Sequence, residues 1–303
     1  MKKLTRKLFI SVLVAVFAFV ALGTSTYAWI TLSTAAQIQT FEAKVEAGDA
    51  GIELSENYGT VFTALAGDAE QATKAIEQSI WKTDLTLSDT LKNSFVALDD
   101  VTTDDGVVFV DYKPAIVDGK NVMVKDEAGS ANGKYIEFSV WVKRSNTTST
   151  TATNIKVNTA KVVFTKGTTV DGTFTYNNAG TPTPAENLFA TNALRMSITG
   201  NLGNTVIYEQ NTTTDDNTAG SVANGYAHEY AKSQDISIEY VKPAYEAQAI
   251  QATTGADSAT IVTIDGSEVA EIKIRLWIEG WDNECHAQIL TQSFSVALGF
   301  EIA

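Results

Sequence analysis

The sequence predicts an all-β fold: a β-sandwich with a short helical excursion and long polar loops, preceded by an N-terminal signal helix. Three stretches carry that expectation. Tyr135 to Lys143 alternates strictly, with Ile136, Phe138, Val140 and Val142 on one face and Glu137, Ser139, Trp141 and Lys143 on the other. Ile272 to Glu279 repeats the arrangement, with Ile272, Ile274, Leu276 and Ile278 against Lys273, Arg275, Trp277 and Glu279. Phe294, Val296, Leu298 and Phe300 alternate again near the end of the chain. Period-two patterning marks a strand with one buried face. Many such strands with turn signals between them argue for a sandwich.

Taken in order, the chain opens with the positive residues Lys2, Lys3, Arg6 and Lys7, then an apolar run from Leu8 to Leu22. Small and polar residues follow up to Ala28. That is the layout of a secretory signal, with Ala28 at −1, Thr26 at −3 and Trp29 as the first mature residue. The apolar run of about 15 residues is shorter than the ~20 that a spanning helix needs. Export with cleavage is therefore expected ahead of a retained anchor, and contact with a membrane is expected only through the uncleaved signal.

Residues 29–40 form an N-terminal strand or linker. Trp29-Ile-Thr-Leu-Ser-Thr34 alternates, with Ile30 and Leu32 on one face. The remainder, 41–303, is expected as one sandwich domain with insertions, although its length also fits two smaller domains. Shorter strands are read at Phe41–Val45, Gly51–Leu54, Val107–Tyr112, Ile155–Val157, Lys161–Thr165, Leu194–Ile198, Val206–Tyr208 and Ile236–Val241. The helical excursion is placed at about 68–98. Asp68 would cap a helix over Ala69–Lys82, with Ile76 and Ile80 on one face beside Ala72 and Ala75. A second short helix would run from Ser88 to Leu98. Polar loops are expected at about 145–154 and 209–232, and around Pro182 and Pro184, because these tracts lack the apolar residues a core requires.

Charge narrows the function classes. The chain carries −14 at pH 7, and loss of residues 1–28, with four basic and no acidic side chains, would take it to −18. Phosphate binding depends on Lys and Arg that displace counterions, so nucleic acid is not an expected partner. The acidity suits a soluble extracellular protein. Cys285 is the only cysteine, so no intramolecular disulfide can form.

The search for chemistry gives no catalytic, cofactor or metal assignment, and an enzyme is not expected. The only histidines are His228 and His286. His228-Glu229 begins like a zinc-protease helix, but Lys232 stands where the second histidine belongs. Cys285 and His286 are adjacent, and neighbours on a strand point to opposite faces. Asp99, Asp100, Asp104 and Asp105 gather hard oxygen ligands of the kind Ca²⁺ takes, without the spacing of an EF-hand. A solvated acidic loop is the expectation there.

Two segments carry a family resemblance. Thr26-Tyr27-Ala28-Trp29 followed by Phe41 to Ser55, and the block Ile272 to Cys285 closing on Phe294 to Phe300, resemble the TasA/camelysin-type biofilm-matrix and surface proteins of Gram-positive bacteria. The likeness covers roughly 30 residues at each end of the chain; the Thr/Asn-rich middle and the helical excursion depart from it. What the resemblance implies is a jelly-roll-like sandwich, secretion, and assembly into extracellular fibres, with the chain itself as partner. A free apolar N-terminal strand suits pairing with a neighbour's sheet edge, and such a head-to-tail contact propagates. Trp29, Ile30 and Leu32 are the expected assembly residues, unless 29–40 pair within their own sandwich or trail as a linker. Trp141, Trp277 and Trp281 are candidates for an outward contact patch, the alternative being cover by the same domain. A surface adhesin or carbohydrate-binding module of the same fold, directed at cell-wall or matrix glycans through Trp281-Asp282-Asn283, is the second expectation.

Overall fold

A computed structural model describes residues 41–47, 51–92, 95, 98, 100–117, 120–126, 134–145, 151–158, 162–165, 176–178, 181–183, 193–209, 237–238, 248–249, 260–266, 268–280 and 294–303. In chain order these form β1 (Phe41–Ala47), β2 (Ile52–Ser55), α1 (Tyr58–Ala64), α2 (Gln71–Gln78), β3 (Asp84–Thr86), α3 (Asp89–Lys92), β4 (Asp100–Thr103), β5 (Phe109–Val117), β6 (Lys120–Asp126) and β7 (Ile136–Arg144). Then come β8 (Thr153–Val157), β9 (Val163–Thr165), β10 (Tyr176–Asn178), β11 (Thr181–Thr183), β12 (Leu194–Thr199), β13 (Thr205–Glu209), β14 (Ser237–Ile238), β15 (Gln248–Ala249), β16 (Thr260–Ile264), β17 (Val269–Glu279) and β18 (Phe294–Ile302). The fold is all-β and sandwich-like, as the alternating stretches predict.

Alternation turns directly into pairing. β7 and β17 run antiparallel with Phe138 opposite Ile274, Val140 opposite Ile272 and Val142 opposite Ala270, so the apolar faces coincide. A one-residue slip would move every one of these side chains to the other face. β12 adds to the opposite edge of β17, with Met196 against Leu276 and Ile198 against Ile274. Beyond Ile136, β4 takes over the edge that β7 leaves, pairing in parallel with Ile278 and Glu279. This sheet has ten strands, running β14-β6-β5-β4-β17-β12-β13-β15, with β7 and then β2 attached along β17.

The second sheet has six strands in the order β16-β8-β18-β1-β3, with β9 also on β18. Its centre is a parallel pair, β1 beside β18, with Phe41 opposite Phe294 and Val45 opposite Leu298. Val45, Leu298 and Phe300 from this sheet share one buried cluster with Val140, Ile198 and Ile274 from the other. That shared core is what makes the two sheets one sandwich.

The helical excursion differs from its prediction. The chain enters α1 directly after β2, because the Ser55 hydroxyl accepts the N–H groups of Asn57 and Tyr58 at 3.3 and 3.2 Å. The second helix is shorter than Ala69–Lys82. Glu70 occupies the N-cap, while Asp68 accepts the Glu70 N–H and the Lys74 ammonium from outside the helix. The helix stops at Gln78, Ser79 is extended, and Lys82 bridges to Leu54 through both backbone groups. Ile80 therefore never joins Ile76 on a helical face: it is 59% exposed, and Ala75 is the buried residue. The expected Ser88–Leu98 helix shrinks to α3, with Leu98 buried in the core and Phe95 5.7 Å from Phe138 between ring centres. The polar tract at 145–154 ends inside β8, and 181–183, expected as loop, pair with 176–178. Of the tract at 209–232, Glu209 closes β13 and the rest lies outside the described residues.

Ile274 is fully buried where both neighbouring strands contribute apolar partners. Ile274→Ala is expected to cost about 2–5 kcal/mol, read as a lowered urea midpoint with an unchanged slope.

Candidate functional site

The face of the ten-stranded sheet turned away from the shared core carries two of the residues that sequence reasoning proposed for contact, Trp141 and Trp277. Ala28, Trp29, Ile30, Leu32 and Trp281 lie outside the described residues, as do Cys285, His228 and His286. Trp141 and Trp277 are described, and they do not form one patch. Trp141 stands opposite Glu271, so six residues of strand separate it from Trp277, roughly 20 Å at the usual rise. Each belongs to its own cluster.

Trp277 is fully buried, so of the two readings open for it, cover by its own domain holds and an outward ring does not. Its cover comes from elements that the alternating pattern of β17 cannot announce. Phe109 meets it edge-on at 5.1 Å and in turn stacks on Tyr135 at 4.1 Å; Val101 and Ile207 complete the cluster. The indole N–H donates to the Glu279 carboxylate at 3.1 Å. The flanking charges Arg195, Glu209 and Arg275 are buried too, whereas Glu137 is exposed. Arg195 and Glu209 pair at 2.8 Å with each side chain 2% exposed. Arg275 donates to Glu137 at 2.6 Å and to the Thr199 hydroxyl at 3.1 Å. Burial pushes the Tyr135 phenol upward and the Glu137 charge adds to this, with Arg275 opposing. A buried pair such as Arg195–Glu209 costs heavily when one partner is removed but is weak support for net stability.

Of the acidic run at Asp99–Asp105, Asp99 and the Asp100 side chain lie outside the described residues, while Asp104 and Asp105 are exposed, as expected of a solvated loop. Between them Val101, Thr102 and Thr103 are buried in β4. The Asp105 carboxylate accepts the N–H groups of Val107 and Val108, both at 2.8 Å, and faces the Thr103 hydroxyl at 3.1 Å. Burial acts to raise its pKa, but these hydrogen bonds and the positive Arg275 together outweigh it and hold the carboxyl below its ordinary value. Gly106 follows at φ +72°, and its carbonyl accepts the Ser197 hydroxyl at 2.5 Å. A Cβ on Gly106 would sit 2.9 Å from Ile207 and Ser197 atoms. The turn is thus pressed onto the sheet, and its best-placed carboxylate is engaged in shaping it. Among the described residues no group of three or more His, Cys, Asp or Glu side chains could hold a metal ion.

Trp141 belongs to a group of aromatics on this face that meets solvent. Tyr58 centres the group, 5.7 Å from Phe62, 5.7 Å from Trp81 and 6.3 Å from Trp141. The Trp81 indole donates to the Ile76 carbonyl at 2.9 Å, and the Lys143 ammonium lies 5.0 Å over its ring while pairing with Glu53. Phe62, 36% exposed, forms the outer rim. α1 lies so close to Trp141 that a Cβ at Gly59 would stand 2.1 Å from the indole. Trp141 is therefore covered from within its own domain. No sequence signal pointed to Tyr58, Phe62 and Trp81, because the helix that gathers them was not legible.

No protein-family model, no curated protein and no solved structure matches the chain. No helix among the described residues is long and apolar enough to cross a membrane.

Two measurements follow from this geometry. Gly59→Ala forces Trp141 off its seat; a stability loss of about 1–3 kcal/mol is expected for such overpacking, together with a changed tryptophan emission spectrum. Asp105 has a folded pKa below the usual 3.8, so its contribution is present above that value and is lost as pH falls through the folded pKa. The difference in urea midpoint between wild type and Asp105→Asn is expected to be largest near neutrality and to shrink below pH ~4. A pH-independent difference would remove the charge as its cause.

Proposed function

We propose that the chain is an exported structural protein that assembles with itself into extracellular fibres or a surface matrix. The signal-like opening, the acidity and the resemblance to TasA/camelysin-type matrix proteins support the reading, with a jelly-roll-like sandwich as the finer fold. The observation that carries it is the place of β1. This strand lies inside the six-stranded sheet, beside β18 along its whole length, while β3 covers only Lys44–Glu46 on its other side. Residues 29–40 therefore run straight into a central strand. Their alternating Trp29, Ile30 and Leu32 suit strand addition to a neighbouring subunit, and a contact of that kind does not close on itself. The mechanism proposed is donor-strand exchange through this segment.

A surface adhesin or glycan-binding module is the second reading, favoured by the half-buried aromatic group around Tyr58. Aromatic faces with polar rims suit sugar rings, and Phe62 and Trp81 stand at the solvent edge.

Negative-stain microscopy of the chain beginning at Trp29, beside the same chain lacking 29–40, separates the readings. Filaments are expected from the first and monomers from the second. Filaments from both would remove the donor-strand mechanism. Monodisperse particles from both would favour the glycan-binding reading, to be followed by binding assays with cell-wall polysaccharide.

A further inference from the structure

Two covers lie on the outer face of the ten-stranded sheet, and a strip of that face stays open between them. On one side α1 sits on Trp141 of β7, so close that Gly59 has no room for a side chain. On the other side the turn between β4 and β5 sits on Ser197 of β12 and Ile207 of β13, with Gly106 at the contact. The register places one row of residues between the two. Ser139 of β7 stands opposite Lys273 of β17, Lys273 opposite Thr199 of β12, and Thr199 opposite Thr205 of β13. From this row Trp141 lies one step along the ladder in one direction, and Ser197 one step in the other. All four members of the row are half-buried, and Glu137 and Glu271 beside it are exposed. The result is a groove across four strands, about 14 Å from Ser139 to Thr205 at the usual strand spacing.

The floor of this groove is polar and carries no net charge. Lys273 and Arg275 stand against Glu137 and Glu271, an even balance in a chain that is −14 overall. Most of these groups are engaged with one another. Arg275 donates to Glu137 and to the Thr199 hydroxyl, the Ser139 hydroxyl donates to Glu271, and the Thr199 and Thr205 hydroxyls share a hydrogen bond. Lys273 differs. Its ammonium stands 3.9 Å from the Glu137 carboxylate, past hydrogen-bond distance, and its side chain is 35% exposed at the centre of the row. An ammonium has three N–H donors. The middle of the groove therefore offers donors, while the hydroxyls and carboxylates around it offer acceptors.

We propose that this groove binds an uncharged polysaccharide chain laid across β7, β17, β12 and β13, with Lys273 as the central donor. Its chemistry selects that partner. Donors and acceptors are interleaved along it, as a polyhydroxylated chain requires. The exposed carboxylates of Glu137, Glu271, Asp104 and Asp105 stand around it and repel an anionic polymer, while the central ammonium repels a cation. The floor is the face of paired strands and not an edge, so an extended peptide finds no free backbone groups to pair with. Val108, 63% exposed on the turn, gives one wall an apolar surface for the C–H face of a sugar ring. The proposal rests on the glycan-binding reading given second above, and it places the sugar on the sheet beside α1, not on the Tyr58 group.

The test is titration calorimetry of the full chain with two neutral probes, cellotetraose and chitotetraose, and one anionic probe, tetragalacturonate. Wild type is expected to bind a neutral probe and to ignore the anionic one. Lys273→Met keeps the stem and removes the donors. It is expected to weaken binding about tenfold, the loss of one hydrogen bond from a charged donor. Its urea midpoint should stay at the wild-type value, because a half-exposed pair of this kind adds little stability. Val108→Ser, on the opposite side of the groove from α1, is expected to weaken binding as well. Unchanged neutral binding in Lys273→Met, with loss in Phe62→Ala, would overturn the groove and move the sugar to the Tyr58 group, leaving the glycan-binding reading intact. Binding of the anionic probe alone would overturn the uncharged partner. No binding of any probe would overturn the proposal together with the reading it rests on.

Discussion

The structure depends on one strand being buried on both faces. β17 presents Ile272, Ile274, Leu276 and Ile278 to the shared core, as any half-buried strand would. From Arg275 onward its other face is covered as well, so that Trp277 and Glu279 are fully buried. A side chain the size of Trp removes enough apolar area to anchor the elements above it. Those elements are β4, which extends the sheet at the same strand end, and Phe109 at the start of β5. β12, β7 and β4 all take their register from β17, and β13 and β5 take theirs from those. Removing the indole would loosen the second layer without emptying the first.

The charged residues under that layer follow from the same constraint. Once the far half of β17 is covered, its neighbours on β12 and β13 are covered too, whether or not they are apolar. Arg195 is paired across the ladder with Trp277 on one side and Glu209 on the other. Its partner carboxylate is thus delivered by register, not by a long side-chain search. An ion pair placed this way adds little net energy, but a slip of either strand would leave a buried charge without its partner. Specific registration is the physical consequence, in addition to the apolar matching on the inner face.

The inner face was legible and the outer face was not, for a reason visible in particular residues. Alternation of Ile136, Phe138, Val140 and Val142 states that one side of a strand is buried; it is silent about what lands on the other. Trp141 and Trp277 occupy equivalent places in two similar patterns, yet α1 covers one and the Phe109 region the other. Both covers come from distant sequence. β6 lacked a clean period of two, although the register that sets Val117 opposite Lys120 leaves Asp118-Gly119 between them, a strong short hairpin signal. α1 has no acidic first turn and no side-chain cap at Asn57; it is held by Ser55 before it and by Tyr58 packing, which are tertiary facts. The contact between the Asn201 amide and the Thr263 backbone was equally invisible, since the two lie 62 positions apart.

The chain also closes on itself without a covalent staple. Phe41 and Phe294 sit side by side although about 250 residues separate them, and closing so long a loop costs only slightly more than closing one half its length. The cost falls on the rate, because parallel pairing between distant strands is a slow step. β1 gains its main neighbour only when β18 is in place; its other neighbour, β3, contacts three residues. If residues 29–40 act as the assembly strand, as proposed, they are wired to the strand whose pairing requires the far end of the chain. On that proposal an incomplete chain would lack the fixed base from which such a strand is offered, and completion of the fold would be coupled to readiness for assembly.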